Sequence, residues 1–203
     1  MEPIILASES PRRRDFFTLL GLPFICVPPH VDESFEPGID PRSLAEELAI
    51  RKVSKVAEMR KDAPLICGAD TVISLDGHIY GKAQDRNEAQ RMLRTFQGKT
   101  HEVISAVALY KNTQLDDKKT EGTGTIDCRS ALSTVTFAAM TKAEIEWYLD
   151  TNEWQGAAGA YKIQGLVSCF IKSITGSYSS IVGLPLSDFF AMLKDNGYPI
   201  VGN

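Results

Sequence analysis

The sequence predicts an α/β fold on a mixed sheet. Short apolar runs, such as residues 4–7 and 65–67, alternate with segments of helical periodicity, the pattern of strands packed under helices. Asp76-Gly77, between the apolar segments 72–75 and 78–80, is a two-residue hairpin signal, so the sheet is not purely parallel. With 203 residues, 43% hydrophobic and 24% charged, the chain can bury one core or two small lobes.

Residues 4–7 are uniformly apolar and read as a buried strand. Ser10-Pro11 then supplies an N-cap and a proline at the first helical position; Phe16, Phe17, Leu19 and Leu20 form the apolar side, and Gly21 stops the helix. Residues 24–27 predict a second strand, leading into a proline-rich loop that holds Val31-Asp32-Glu33. Over 42–60, Leu44, Leu48, Ala49, Val56 and Met59 share one helical face, and Lys52 lies near its middle. Either the lysine stem packs while its amine reaches water, or the amine is a cation set at a cleft.

Residues 65–67 predict a short strand running into Gly68-Ala69-Asp70-Thr71. Asp85 and Glu88 start a helix that ends near Gly98. Segments 101–110 and 125–137 read as long strands, with the polar stretch 111–125 a surface loop or hairpin tip. Thr141 and Glu144 open a helix through Tyr148, residues 166–172 predict a strand, and a last helix over about 186–195 stops at Gly197.

A net charge of -4 argues against broad nucleic-acid or anionic-membrane binding, which needs a basic surface. No run approaches 18 apolar residues, and the start MEPIILASES, with Glu2, is unlike a signal peptide. Cys26, Cys67, Cys128 and Cys169 show no C-x-x-C spacing and lie in apolar stretches, which predicts small core residues of a reduced, cytoplasmic protein.

Against this acidic balance, three arginines in a row at 12–14 need a local explanation. They follow a strand and a tight turn and occupy the first turn of a helix, where unpaired N–H groups favour an anion. Arg12 and Arg13 oppose the helix dipole there, a placement that fits a bound phosphate, the alternative being a solvated patch. Asp70 is a candidate base toward water or ligand for a hard cation, or else a turn aspartate bonding its own backbone. Glu33 is a candidate of the same kind, and Lys82 is a phosphate contact or a surface lysine. Gln97-Gly98-Lys99-Thr100 imitates the tail of a P-loop, but Leu93 stands where the first glycine belongs. Gly159 to Gly165 is a glycine-bounded loop suited to a flat ligand, and its Gln164 can pair with a base edge or with backbone. No Ser/His/Asp set and no His/Cys cluster stands out.

In order along the chain, ASESPRR (7–13), VDE (31–33), LAIRK (48–52), GADTVI (68–73), GK (81–82), GKTHEVIS (98–105), VTF (135–137), AGAYKIQG (158–165) and GSYSSIVGLPL (176–186) resemble the Maf family of nucleoside triphosphate pyrophosphatases. The resemblance implies a single two-lobed domain over 1–203: a long mixed twisted sheet flanked by helices, with a deep cleft, similar to inosine triphosphate pyrophosphatases. It implies hydrolysis of a nucleoside triphosphate to the monophosphate and pyrophosphate with a divalent cation, Mg²⁺ or Mn²⁺, in a homodimer. By matching position, Asp70 would accept the proton. Arg12, Thr71 and Gln164 would set specificity. Ser8, Arg13, Lys52 and Lys82 would bind phosphate, and Glu33 with Asp70 the metal.

Pro11-Arg12-Arg13 with Ile163-Gln164-Gly165 is similar to the subgroup acting on dTTP and UTP, because glutamine offers both a donor and an acceptor to a pyrimidine edge. The alternatives are 7-methyl-GTP or inosine triphosphate as substrate, or a nucleotide-binding regulator of septum formation without turnover. The chain departs from the family pattern at Ala83, Ser105-Ala106, Ala138, Ala157, where a lysine is common, and Lys162, where a small residue is.

Overall fold

The computed structural model describes residues 1–113 and 124–200. Its strands are β1 (Ile4–Ala7), β2 (Phe24–Cys26), β3 (Leu65–Leu75), β4 (His78–Tyr80), β5 (Thr100–Lys111), β6 (Thr125–Phe137) and β7 (Ile171–Thr175). Its helices are α1 (Pro11–Leu19), α2 (Pro41–Met59), α3 (Arg86–Phe96), α4 (Lys142–Asp150), α5 (Tyr178–Val182) and α6 (Leu186–Asp195). The strands form one mixed sheet in the order β2-β1-β3-β5-β6-β7, with β4 also on β3. Pairing of β1 with β2 and β3 is parallel; the remaining pairs are antiparallel.

Three cores surround this sheet. Leu44, Leu48, Val53 and Val56 of α2 pack on one face, against Ile5, Ile66, Ala106 and Ala108. Phe17 of α1 and Phe189, Met192 and Leu193 of α6 cover the other, against Leu6, Cys67, Val107 and Leu109. At the far end of the long strands, Ile73, Val103, Val135 and Phe137 pack with Leu93 and Phe96 of α3 and Ile145, Tyr148 and Leu149 of α4.

Several expectations change. Residues 65–75 form one unbroken strand with no turn at Gly68–Asp70, because ten successive residues pair with β5, from Leu65 opposite Lys111 to Ser74 opposite Glu102. That ladder outweighs the local turn preference of Gly and Asp. The strand expected over 166–172 is a 3₁₀ turn at Leu166–Phe170 followed by β7. Val167 and Phe170, three residues apart, are its buried pair, the spacing of that helix.

Leu19 is 74% exposed, since it lies about 200° around α1 from Phe17, and Met59, which ends α2, is 54% exposed. Ser10 occupies the N-cap position without a side-chain cap bond. Of the cysteines, Cys67 is buried, Cys26 and Cys128 are half-buried and Cys169 is exposed; all four are free thiols. The polar tip expected at 111–125 falls mostly outside the described residues. Among the described residues no helix is long and apolar enough to cross a membrane.

Candidate active site

The site begins with a gap in the sheet. β1 stops at Ala7, opposite Gly68, and β4 joins β3 only at Tyr80, opposite Ile73. Between those points β3 has an open edge, and Asp70 and Thr71 lie on it. A cleft of about 570 Å³ opens here, bounded by Leu44 and Leu48 on one side and by Tyr161, Ile163 and Ile181 on the other. All nine residues singled out in the sequence line it: Ser8, Arg12, Arg13, Glu33, Lys52, Asp70, Thr71, Lys82 and Gln164. Asp70, expected just past a short strand at 65–67, is not in a turn. It sits inside a strand, two residues past the carboxyl end of its parallel neighbour β1.

Gly68 explains how α2 reaches this strand. A Cβ there would stand 2.8 Å from Val53 Cγ1, 3.2 Å from the Ala49 carbonyl oxygen and 3.4 Å from Lys52 Cβ. The missing side chain lets helix and strand touch. Lys52 is thereby brought beside Asp70, which projects from the same face of β3 as Gly68.

The Lys52 amine does not escape to water: the residue is 6% exposed, and Nζ donates to Asp70 Oδ1 at 2.5 Å and pairs with Glu33 Oε1 at 2.7 Å. Lys82 Nζ meets the other Glu33 oxygen at 3.3 Å. Burial alone would raise the Glu33 carboxyl, but the hydrogen bond and charge of Lys52, with Lys82 behind, outweigh it and hold the group below its ordinary value. Two carboxylates thus converge on one ammonium at the cleft wall.

The start of α1 faces the same cavity. Arg13 is buried, donating from Nε to the Gly183 carbonyl at 2.9 Å and from Nη1 to Ser8 Oγ at 3.2 Å. Burial pushes its pKa down, opposed by the negative charge of Asp70. Ser8 Oγ also accepts from the Ser10 N–H at 3.1 Å, so its own proton remains for a ligand. Arg12 Nε donates to the Val182 carbonyl at 3.2 Å; burial, then the neighbouring Arg13 charge, lower it as well.

Thr71 points to the opposite face of β3 from Asp70. Its Oγ1 lies 2.8 Å from Ser105 Oγ, which donates to the Ser180 carbonyl at 2.7 Å. At the rim, Lys82 bridges to Ala158, the Gly159 N–H donates to the Gly81 carbonyl, and Gln164 is exposed. Ala157 is buried, whereas Lys162 lines the cleft, so the loop supplies a cation from that position.

Among the described residues no group of three or more His, Cys, Asp or Glu is arranged to hold a metal. Asp70 and Glu33, both within 2.7 Å of one Lys52 nitrogen, nonetheless form a two-carboxylate oxygen set. That set fits Mg²⁺, which commonly takes one or two carboxylates and completes its shell with substrate phosphate and water. Cys67, near Arg13, is no nucleophile candidate: burial pushes its thiol up to about 12.

Sequence reasoning missed the carbonyls of Ser180, Val182 and Gly183, which hold Ser105 and the two arginines. Backbone acceptors leave no side-chain signature. The short helix α5 at this point was missed as well, although Ser177 as its cap and Gly183, at φ 129°, as its stop were signals that could have found it. Ser105 was visible only as a departure from a family pattern.

A family model described as "Maf-like protein" matches residues 3–196. A curated "dTTP/UTP pyrophosphatase" of Pelotomaculum thermopropionicum is 42% identical over 205 residues, covering 99% of this chain and 100% of that one. One of the same description from Symbiobacterium thermophilum is 39% identical over 200 residues, covering 98% and 97%. A solved HAM1 protein from Coxiella burnetii aligns over 96% of this chain and 100% of that one, with a TM-score of 0.50 and 13% identity, a likeness of fold alone. The chain belongs to the Maf family.

Proposed function

We propose that this member of the Maf family hydrolyses dTTP and UTP through Asp70, releasing the monophosphate and pyrophosphate. Hydrolysis of nucleoside triphosphates is the activity of the chain, given relatives near 40% identity over almost its full length. The observation that carries the site assignment is the convergence of Lys52, Asp70 and Glu33 on the open edge of β3, across one cleft from Arg12 and Arg13. The cleft lies between Leu44 and Leu48 of the α2 core and Tyr161, Ile163 and Ile181 of the core at the far end of the long strands, which supports a single two-lobed working unit.

Cleavage between the α and β phosphorus atoms requires a base, an aligned water and stabilisation of the leaving charge. Asp70 has one oxygen held by Lys52, which orients the carboxylate while the other oxygen takes the water proton. The water oxygen bonds to the α phosphorus, the bond to the bridging oxygen breaks, and pyrophosphate leaves with the electron pair. Arg13, Ser8 and Lys82 are the donors for its oxygens, and Lys162 adds charge from the facing wall. Asp70 and Glu33 would hold a divalent cation, whose contribution when bound is charge neutralisation on the triphosphate. Arg12, Thr71 and Gln164 carry donors and acceptors suited to a pyrimidine edge. Free thiols and a nucleotide substrate support a cytoplasmic location.

The test is pyrophosphate release with Mg²⁺ from dTTP, UTP, 7-methyl-GTP and inosine triphosphate, side by side, for the wild type and Asp70→Asn. dTTP and UTP should turn over fastest. The variant should bind them yet lose about 10²–10⁴-fold in kcat, the usual weight of a general base. Undiminished turnover in Asp70→Asn removes Asp70 from the role, and preference for either purine nucleotide removes the pyrimidine assignment.

A further inference from the structure

Ser105 takes no part in the proposed cleavage, yet this residue is fully buried and its hydrogen bonds can run in only one direction. Ser105 lies on β5 directly opposite Thr71. Its Oγ is 2.7 Å from the Ser180 carbonyl, which cannot donate, so the one Ser105 proton goes there. Thr71 Oγ1, 2.8 Å from Ser105 Oγ, must then spend its own proton on Ser105. Thr71, half-buried in the cleft wall, is left facing the cavity with lone pairs only.

We propose that Ser105 is a positioning residue for base selection: by consuming the Thr71 proton it makes Thr71 an acceptor-only group, so the cleft prefers a ring that offers N–H, as uracil and thymine do, over cytosine, whose N3 offers a lone pair. The inference rests on the pyrimidine reading of the site and deepens it. Arg12 is donor-only and is held on the neighbouring Val182 carbonyl, so it suits the ring carbonyl beside that N–H. Cytosine reverses both partners, presenting an amine to Arg12 and a lone pair to Thr71. A site whose polar groups are left unpaired by the wrong ligand discriminates more strongly than one that merely loses apolar contact.

Ser105→Ala should fold. The Ser180 carbonyl keeps the Gly183 N–H at 2.9 Å, and the Thr71 hydroxyl can turn to water in the cleft. The measurement is kcat/KM for UTP and for CTP with Mg²⁺. In Ser105→Ala the UTP:CTP ratio should fall about tenfold, the size of one hydrogen bond gained or lost in the wrong sense. Ser105→Thr keeps the hydroxyl and should restore the ratio. Ser105→Cys, with a weakly bonding thiol, should show the same fall if the alanine variant is unstable. In a Thr71→Val background, Ser105→Ala should leave the ratio unchanged, because the effect runs through Thr71.

An unchanged ratio in folded Ser105→Ala, equal loss on both nucleotides, or an effect that persists with Thr71→Val overturns the proposal, as does a wild type without preference for UTP over CTP. Failure of the wild type to release pyrophosphate from UTP sinks the pyrimidine reading itself and this inference with it.

Discussion

Replacing Lys52 with methionine keeps the packed stem and deletes only the ammonium. In the native protein that nitrogen stands 2.5 Å from Asp70 and 2.7 Å from Glu33, with side-chain exposures of 8%, 12% and 43% for Lys52, Asp70 and Glu33. Its loss leaves two carboxylates facing each other, one of them largely out of water. Deleting one partner of a buried pair costs about 3–5 kcal/mol. Glu33 can turn toward solvent and retains Lys82, so the low end applies, about 3 kcal/mol. In a chain of this size that lowers Tm by roughly 6–12 °C. The assay is thermal and urea unfolding of Lys52→Met, Asp70→Asn and the double variant near neutral pH. If the cost is an unpaired charge, the double variant recovers most of what Lys52→Met loses, with a coupling of about 2 kcal/mol. A double variant as unstable as the two single losses added together would refute the electrostatic account and leave lost packing as the cause. Pyrophosphate release should fall in Lys52→Met even where the protein is fully folded, because Asp70 has lost the group that orients it.

Gly68→Ala should destabilise by about 1–3 kcal/mol in urea, because its Cβ meets Val53 and the Ala49 backbone at 2.8 and 3.2 Å and pushes α2 off β3. Pyrophosphate release should drop more than this stability loss explains, since Lys52 rides on the same helix; wild-type turnover in the folded variant would contradict the assigned role of the close approach. His101 is buried against Phe96, Phe137 and Tyr161, and burial pushes it from 6.5 down to about 4. The unfolded chain therefore takes up the proton first, so stability is complete above pH 6.5 and is lost as pH falls toward 4, by at most about 3 kcal/mol. Urea titrations across that window should show a shallower pH slope in His101→Phe, and an identical slope would reassign the acid sensitivity to other groups.

Much of this fold was legible because local signals agreed with tertiary packing. Asp76 and Gly77 both take positive φ in the tight β3–β4 turn, and the Thr141–Glu144 capping box opens α4 as expected. Reading failed where long-range pairing overruled local preference. Gly68-Ala69-Asp70 looks like a turn in isolation, and only the full ladder with β5 makes it strand. Arg12, Arg13 and Lys52 stood out as charge out of place, arginines against a helix dipole and a lysine on an apolar face, whereas Ser8 and Thr71 entered only through the family resemblance. Ser105 and the α5 carbonyls carry no such mismatch, since a buried serine and a backbone acceptor look ordinary until their partners are seen in space.

The placement of Asp70 next to Thr71 has a consequence for how a ligand must lie. Successive side chains of a strand project to opposite faces, so inside a fully paired sheet these two could never serve one molecule. They reach one cleft because the edge of β3 away from β5 is open between the end of β1 and the end of β4 at Tyr80. A nucleotide meeting both must therefore cross that edge. Under the proposed reading its phosphates lie on the α2 side, with Lys52, Lys82 and the carboxylates, and its base lies toward Arg12 and Thr71. Arg13 sits at the seam, bonded to Gly183 on one side and within the field of Asp70 on the other. Choice of base and rate of cleavage are then separable by face. Changes on the Thr71 side alter which nucleotide is accepted, while changes on the Asp70 side slow every nucleotide alike.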